Sequence, residues 1–133
     1  MDYWNLIRRV TLSRAWNGIN LLISYLYARV TRKPAQWALP ASIAIEPTTS
    51  CNLRCPECPS GLRNFSRPTG MLDPDLFSKI IQEVSSYVFY LTFYFQGEPY
   101  LHPNFLSLVR IANRQNIYTA TSTNAHYLDD ENA

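Results

Sequence analysis

The chain has 133 residues, of which 47% are apolar, 17% are charged and eighteen are aromatic, against only four glycines. That is one domain of ordinary size with enough apolar side chain for a packed core, which excludes a disordered tail or linker and fits an α/β or β-rich fold. A formal charge of +2 is too small to argue for a nucleic-acid partner, and none is expected.

The charge is unevenly spread. Residues 1–34 carry Arg8, Arg9, Arg14, Arg29, Arg32 and Lys33 against Asp2 alone, a balance of +5, while the other 99 residues sum to −3. This reads as a basic appendage on a mildly acidic body. Bulky side chains at Leu6, Ile7, Val10, Ile19, Leu22, Ile23, Leu26 and Val30 follow a partial helical rhythm interrupted near Asn17-Gly18, which predicts two short helices. Trp4, Trp16, Tyr25 and Tyr27 interleaved with arginine suggest contact of residues 1–34 with a membrane surface. The wide apolar stripe and scattered cations favour packing against the rest of the domain instead. No run reaches the roughly 18 apolar residues that span a bilayer, and no small-x-small cleavage site follows the basic start as in a secretory signal. Pro34 and Pro40 bracket a linker. Residues 1–40 are therefore expected to form a basic helical extension with its linker, and residues 41–133 the core domain.

From Ser42 to Glu46 the period becomes two, a short strand ending at Pro47. A cysteine loop follows. Asp73-Pro74 pairs a capping residue with proline at the first helical position, and Leu76, Phe77, Ile80, Ile81 and Val84 form one stripe of a helix ending near Ser86. Tyr87 to Phe95 is an unbroken aromatic and β-branched run, expected as a strand covered on both faces and ending at Gln96-Gly97-Glu98-Pro99. A helix from about Asn104 to Gln115 and a strand from Ile117 to Ser122 complete the pattern. The order β, α, β, α, β implies parallel strands with right-handed crossovers. Ligands bind such sheets at the carboxyl ends of the strands, where the cysteine loop, Gln96 to Pro99 and Ser122 to Asn124 are expected to meet.

Three cysteines, Cys51, Cys55 and Cys58, lie within eight residues. An odd, clustered set makes a poor disulfide framework and suits metal ligation in a reducing compartment, here the cytoplasm. Pro56 and Pro59 oppose a continuous helix, so the segment is read as a loop that wraps its sulfurs around one centre; thiolates select zinc, copper(I) or iron–sulfur clusters. A cubane on three cysteines keeps one iron open. Zinc requires a fourth ligand, for which His102 and His126 are the candidates, and cysteines that merely pack are the remaining reading.

Cys51-x₃-Cys55-x₂-Cys58 after one strand, with Gln96-Gly97-Glu98-Pro99 after the next, resembles the radical S-adenosylmethionine (radical SAM) superfamily over about residues 41–133. The resemblance implies a partial (β/α) barrel. It further implies a 4Fe-4S cluster on Cys51, Cys55 and Cys58 whose open iron is chelated by S-adenosylmethionine, and reductive cleavage to a 5′-deoxyadenosyl radical that abstracts hydrogen from a substrate. It brings an electron donor such as a reduced flavodoxin or ferredoxin, and the family's peptide- and protein-modifying members hint at the substrate class. Gln96, Gly97, Glu98 and Pro99 would receive the methionine amino group through backbone, with Ser122 and Asn124 as further cofactor contacts. Gln96 stands where the first Gly is usual, Glu57 where an aromatic often precedes the last cysteine, and Ala125 where Gly follows Asn. Glu46 is read as either a lumen-facing polar group or a solvated one, and Arg54 and Arg63 as aids to the cofactor's negative charge. Such a barrel takes about six βα units and three strands are present, so an incomplete chain, or one completed by association, is expected. The alternative function is a non-catalytic iron–sulfur or zinc module whose basic helices contact a partner.

Overall fold

A computed structural model describes residues 3–130. Its elements are α1 (Tyr3–Ile7), α2 (Leu12–Thr31), β1 (Ser42–Ala44), α3 (Pro59–Leu62), α4 (Pro74–Val84), β2 (Tyr90–Thr92), a 3₁₀ turn (Pro99–Leu101), α5 (Phe105–Arg114) and β3 (Tyr118–Ala120). The strands form one sheet in the order β1-β2-β3, both pairs parallel. This is the expected partial barrel with an N-terminal helical extension.

Register decides the two faces of the sheet. Ile43, Leu91 and Thr119 lie abreast, as do Ser42, Tyr90 and Tyr118, and neighbouring rows point to opposite sides. The Leu91 side faces α4 and α5 over a core of Phe77, Ile81, Val88, Leu91, Phe93, Phe105, Leu108, Ala112 and Ile117. Phe93 sits centrally in that core, its ring 5.5 Å from those of both Phe77 and Phe105. Each fully buried large side chain there contributes on the order of 1.5–3 kcal/mol. On the other side Tyr90 stacks on Tyr118 at 5.6 Å, and both remain half-buried.

The strands are shorter than the sequence pattern predicts. Tyr87 and Val88 still donate to the carbonyl of Val84, continuing the turn out of α4, and the chain leaves the sheet after Phe93 donates to Ala120. The run from Tyr87 to Phe95 marks burial rather than ladder pairing: Val88 and Phe93 are fully buried outside the strand, while Tyr94 and Phe95 are exposed. Nor is β2 covered on both faces among the described residues. α4 begins as predicted, with Asp73 accepting from the Leu76 N–H at 2.8 Å and Pro74 at its first position.

The N-terminal segment differs in where it breaks. α2 runs straight through Asn17-Gly18, and the interruption lies between Ile7 and Leu12. A single mid-helix glycine costs only about 1 kcal/mol, which Thr11 offsets by capping the Arg14 N–H. The Asn17 side chain reaches off the helix to clamp the linker, donating to the Leu39 carbonyl at 2.8 Å and accepting from its N–H at 2.9 Å.

Arg14, 3% exposed, fixes the extension to the domain. Its five N–H donors are all used: on Ser85 O twice (3.1 and 2.7 Å), Gln115 O (2.9 Å), Asn116 O (2.6 Å) and Arg9 O (2.6 Å). The carbonyls of Ser85, Gln115 and Asn116 end α4 and α5, where helix ends leave acceptors unpaired and favour a cation. Burial, and secondarily Arg9, lower the Arg14 pKa, yet a guanidinium keeps its proton.

Candidate functional site at the carboxyl ends of the strands

Three loops follow the three strands and are tied to one another. The first, after β1, carries Cys51, Cys55 and Cys58, all free thiols, with Cys55 exposed and the other two half-buried. The N–H of Cys58 donates to the Cys55 carbonyl at 3.2 Å, and Cys58 caps α3. Gly61 in α3 allows this turn to close, since a Cβ there would lie 2.5 Å from both N and O of Cys55. Residues 70–72 then fold back antiparallel on 47–50, Thr48 bridging Met71.

The second loop packs directly on the first. Gly97 N–H donates to Ser60 Oγ at 3.1 Å, and Glu98 N–H donates to Ser50 O at 2.8 Å. Gly97 has φ +79°, and a Cβ on it would stand 2.1 Å from Thr48 O. The third loop is held by Glu98, whose side chain is 2% exposed. Its carboxylate accepts from Thr123 Oγ at 2.6 Å, Asn124 N at 2.8 Å and Tyr100 N at 3.2 Å. Asn124 Nδ2 in turn donates to Asn52 Oδ1 at 2.7 Å, Asn52 Nδ2 meets His126 Nδ1 at 3.0 Å, and His126 N donates back to Asn124 Oδ1. Ser122 is exposed and lies outside this network.

Gln96 and Pro99 belong to the same convergence, Pro99 buried and opening the 3₁₀ turn. Glu46 pairs with Arg67 at 2.6 Å, its side chain 15% exposed, so it is ion-paired rather than freely solvated. Arg54 is exposed, whereas Arg63 lines a cleft of about 360 Å³ beside Cys51 together with Ser50, Ser60 and Arg67. A larger cleft of about 470 Å³ adjoins it along Glu46, Thr48 and Phe95; the smaller holds the cysteine. Ser60, Gly61, Asn52 and Arg67 were not singled out by the sequence pattern. Gly61, one of only four glycines and three residues past Cys58, was the available signal of a close backbone approach.

The two histidines named for zinc differ: His126 meets Asn52 through Nδ1 and stays a candidate ligand, whereas His102 does not. His102 is buried; its Nδ1 accepts from Asn104 N at 3.1 Å and its Nε2 meets Leu72 O at 2.8 Å, so both ring nitrogens are committed and it does not serve as a fourth ligand. Among the described residues no three His, Cys, Asp or Glu side chains are gathered to hold one metal ion. Three free thiols on one loop are the soft donor type that an iron–sulfur cluster takes, and one of them has a lowered pKa.

That thiol is Cys58. The backbone N–H of Gly61, then that of Ser60, hold its pKa below the ordinary thiol value; burial opposes this and the Ser60 hydroxyl adds to it. Because folding lowers this pKa, the thiolate stabilises the fold above the ordinary thiol pKa, and the contribution fades as pH falls through the folded value. In the metal-free chain with Cys51→Ser and Cys55→Ser, Cys58 is expected to react with iodoacetamide along a pH profile displaced to lower pH than that of glutathione. Coincident profiles would contradict the assignment.

Ala125 keeps the left-handed conformation that glycine favours, at φ +65°. Ala125→Gly is therefore expected to raise stability by up to about 1 kcal/mol, the relief of left-handed strain less the added freedom of the unfolded chain. Urea denaturation measures it, and a loss of stability would show that this strain is not felt.

The profile of the Radical SAM superfamily matches residues 45–133. The chain is 35% identical over 89 residues to the tungsten-containing aldehyde ferredoxin oxidoreductase cofactor-modifying protein of Pyrococcus furiosus, covering 65% of this chain and 24% of that protein. It is 29% identical over 91 residues to the PqqA peptide cyclase of Gluconobacter oxydans, covering 68% and 25%. Among solved structures, BtrN in complex with AdoMet and 2-DOIA superposes with a TM-score of 0.64 at 26% identity, over 71% of this chain and 39% of BtrN. An open conformation of BtrN gives 0.61 at 25% identity, over 72% and 44%. The chain thus spans about a quarter of the length of the two curated relatives. With the motif, the parallel sheet and the family profile in agreement, the chain belongs to the radical SAM superfamily.

Proposed function

We propose that residues 41–133 are the cofactor-binding part of a radical SAM enzyme acting on a peptide or protein. Cys51, Cys55 and Cys58 would each ligate one iron of a 4Fe-4S cluster, and Gln96 to Pro99 with Asn124 would line the S-adenosylmethionine site. When bound, cluster and S-adenosylmethionine supply a 5′-deoxyadenosyl radical for hydrogen abstraction, using an electron from a reduced flavodoxin or ferredoxin.

The observation that carries this reading is the interlock of the cysteine loop with the Gly97-Glu98 loop through Ser50 and Ser60. With the N–H groups of Gly97 and Glu98 already donated, that loop's backbone offers a ligand carbonyl oxygen, which suits an ammonium group. Glu98 acts through its neighbours: its carboxylate fixes the Thr123-Asn124 backbone, and Asn124 steadies the cysteine loop at Asn52. Ser122, outside the network, is the weakest of the expected contacts. The peptide substrate is supported by the relation to a peptide cyclase, and cytoplasmic residence by the free thiols.

The test is anaerobic reconstitution of the full-length protein with iron and sulfide. Iron uptake is expected, of which about four irons per chain are lost with Cys55→Ala, together with reductant-dependent release of 5′-deoxyadenosine. Uptake of one zinc and no iron overturns the cluster. A cluster without 5′-deoxyadenosine overturns the enzyme and leaves the non-catalytic module.

A further inference from the structure

Helix α2 meets its own domain with the face that has little apolar surface to offer. Arg14 and Ser24 are each 3% exposed, and Asn17, Gly18 and Ala28 on the same side are half-buried. The linker lies along it, held by Asn17 on Leu39 and by Tyr27 against Trp37 with ring centroids 4.9 Å apart. Leu12, Trp16, Ile19, Ile23, Leu26 and Val30 fall within about 80° of arc on the opposite side. Every one is exposed, from 47% at Ile23 to 92% at Leu12. In an ordinary surface helix this stripe would face the core.

Charge indicates what the stripe meets. From Tyr3 to Lys33 there are six cations and not one Asp or Glu. Arg14 is consumed by carbonyls and Arg9 by Asn116, whereas Arg8 stands exposed just before α2 and Arg29, Arg32 and Lys33 at its far end. The stripe spacing of four and three also matches a helix–helix seam, but a second copy would bring an equal set of cations with no acid to pair them. Among the described residues no helix is long and apolar enough to cross a bilayer, whereas an apolar stripe with cations and no acids is the composition of a helix that lies in the headgroup boundary.

We propose that α1 and α2 bind the surface of an anionic lipid bilayer, with the Leu12 to Val30 stripe in the headgroup boundary and Arg8, Arg29, Arg32 and Lys33 on lipid phosphates. Arg14 transmits this anchorage to the carboxyl ends of α4 and α5, which precede β2 and β3. The three site loops follow those strands at the other end of the sheet, so the contact leaves them accessible. This inference is independent of the chemistry at the cysteines.

The test is flotation of the full-length protein with vesicles of phosphatidylcholine alone or mixed with phosphatidylglycerol. Binding to the mixed vesicles is expected, lost in high salt. Each basic residue near such a surface is worth about fivefold in affinity, so Arg29→Glu with Arg32→Glu is expected to weaken binding by more than about tenfold. Ile23→Asp is expected to weaken it by at least about as much, at an unchanged melting temperature. A second readout leaves the stripe intact: with Trp4, Trp37 and any tryptophan beyond these residues replaced by Phe, Trp16 emission is expected to shift to the blue on the mixed vesicles only. Absence of flotation, flotation indifferent to Ile23→Asp, a lipid-free dimer broken by Ile23→Asp, or Trp16 emission already blue without lipid because further polypeptide covers it, would each overturn the proposal.

Discussion

Gly97→Ala is expected to destabilise the domain by roughly 2–4 kcal/mol and to disable the site with it. Two costs coincide at this position. The backbone sits at φ +79°, where an L-residue is strained, and the new Cβ would meet Thr48 O at 2.1 Å and Ser50 O at 3.0 Å. Both obstacles are backbone, so no side-chain rotation relieves them and one loop must move. Movement breaks the bonds from Gly97 N to Ser60 Oγ and from Glu98 N to Ser50 O, and Glu98 then releases Thr123 and Asn124. Gly18→Ala is the control: nothing lies within 4 Å of its Cβ, and alanine in a helix interior is worth about 0.5–1 kcal/mol of added stability. Urea denaturation of both variants, with iron content after reconstitution, measures the contrast. Equal stability for the two would show that the loops do not interlock here.

How much of this was legible beforehand depends on whether the signal was local. The Asp73-Pro74 helix start and the alternation of strands and helices that implies a parallel sheet follow from residues a few positions apart, and both recur in the fold. Strand ends did not, because Val88 and Phe93 carry β-forming side chains to meet Phe77 and Phe105 in the core rather than to extend the ladder. The ties among the loops were invisible for a different reason. Asn52 meets Asn124 across 72 positions and Ser60 meets Gly97 across 37, and no periodicity records a hydrogen bond of that kind. Helix α2 shows the reverse error: its stripe was legible, but amphipathic reasoning pointed the stripe inward, and the inward contact is made by an arginine.

Removing that arginine is therefore expected to release the whole N-terminal extension while sparing the core. Arg14→Met keeps much of the bulk and deletes five donors, leaving the carbonyls of Ser85, Gln115 and Asn116 without their cation. A hydrogen bond to a charged group is worth about 1.5–3 kcal/mol, but these share one side chain whose desolvation opposes them, so a net loss of about 2–4 kcal/mol for docking is expected. Arg14→Lys does not rescue it, because three donors on one nitrogen cannot span carbonyls that the planar guanidinium reaches from both of its edges. The nine core residues belong to α4, α5, β2 and their flanks and include none from α2, so their cooperative unfolding persists. Trypsin distinguishes release from global unfolding: cleavage after Arg29 and Arg32 is expected to accelerate about tenfold or more while sites in α5 stay protected. Unchanged cleavage at both places, with the melting temperature of the parent chain, would mean that the linker clamp at Asn17 and Leu39 holds the helix without Arg14.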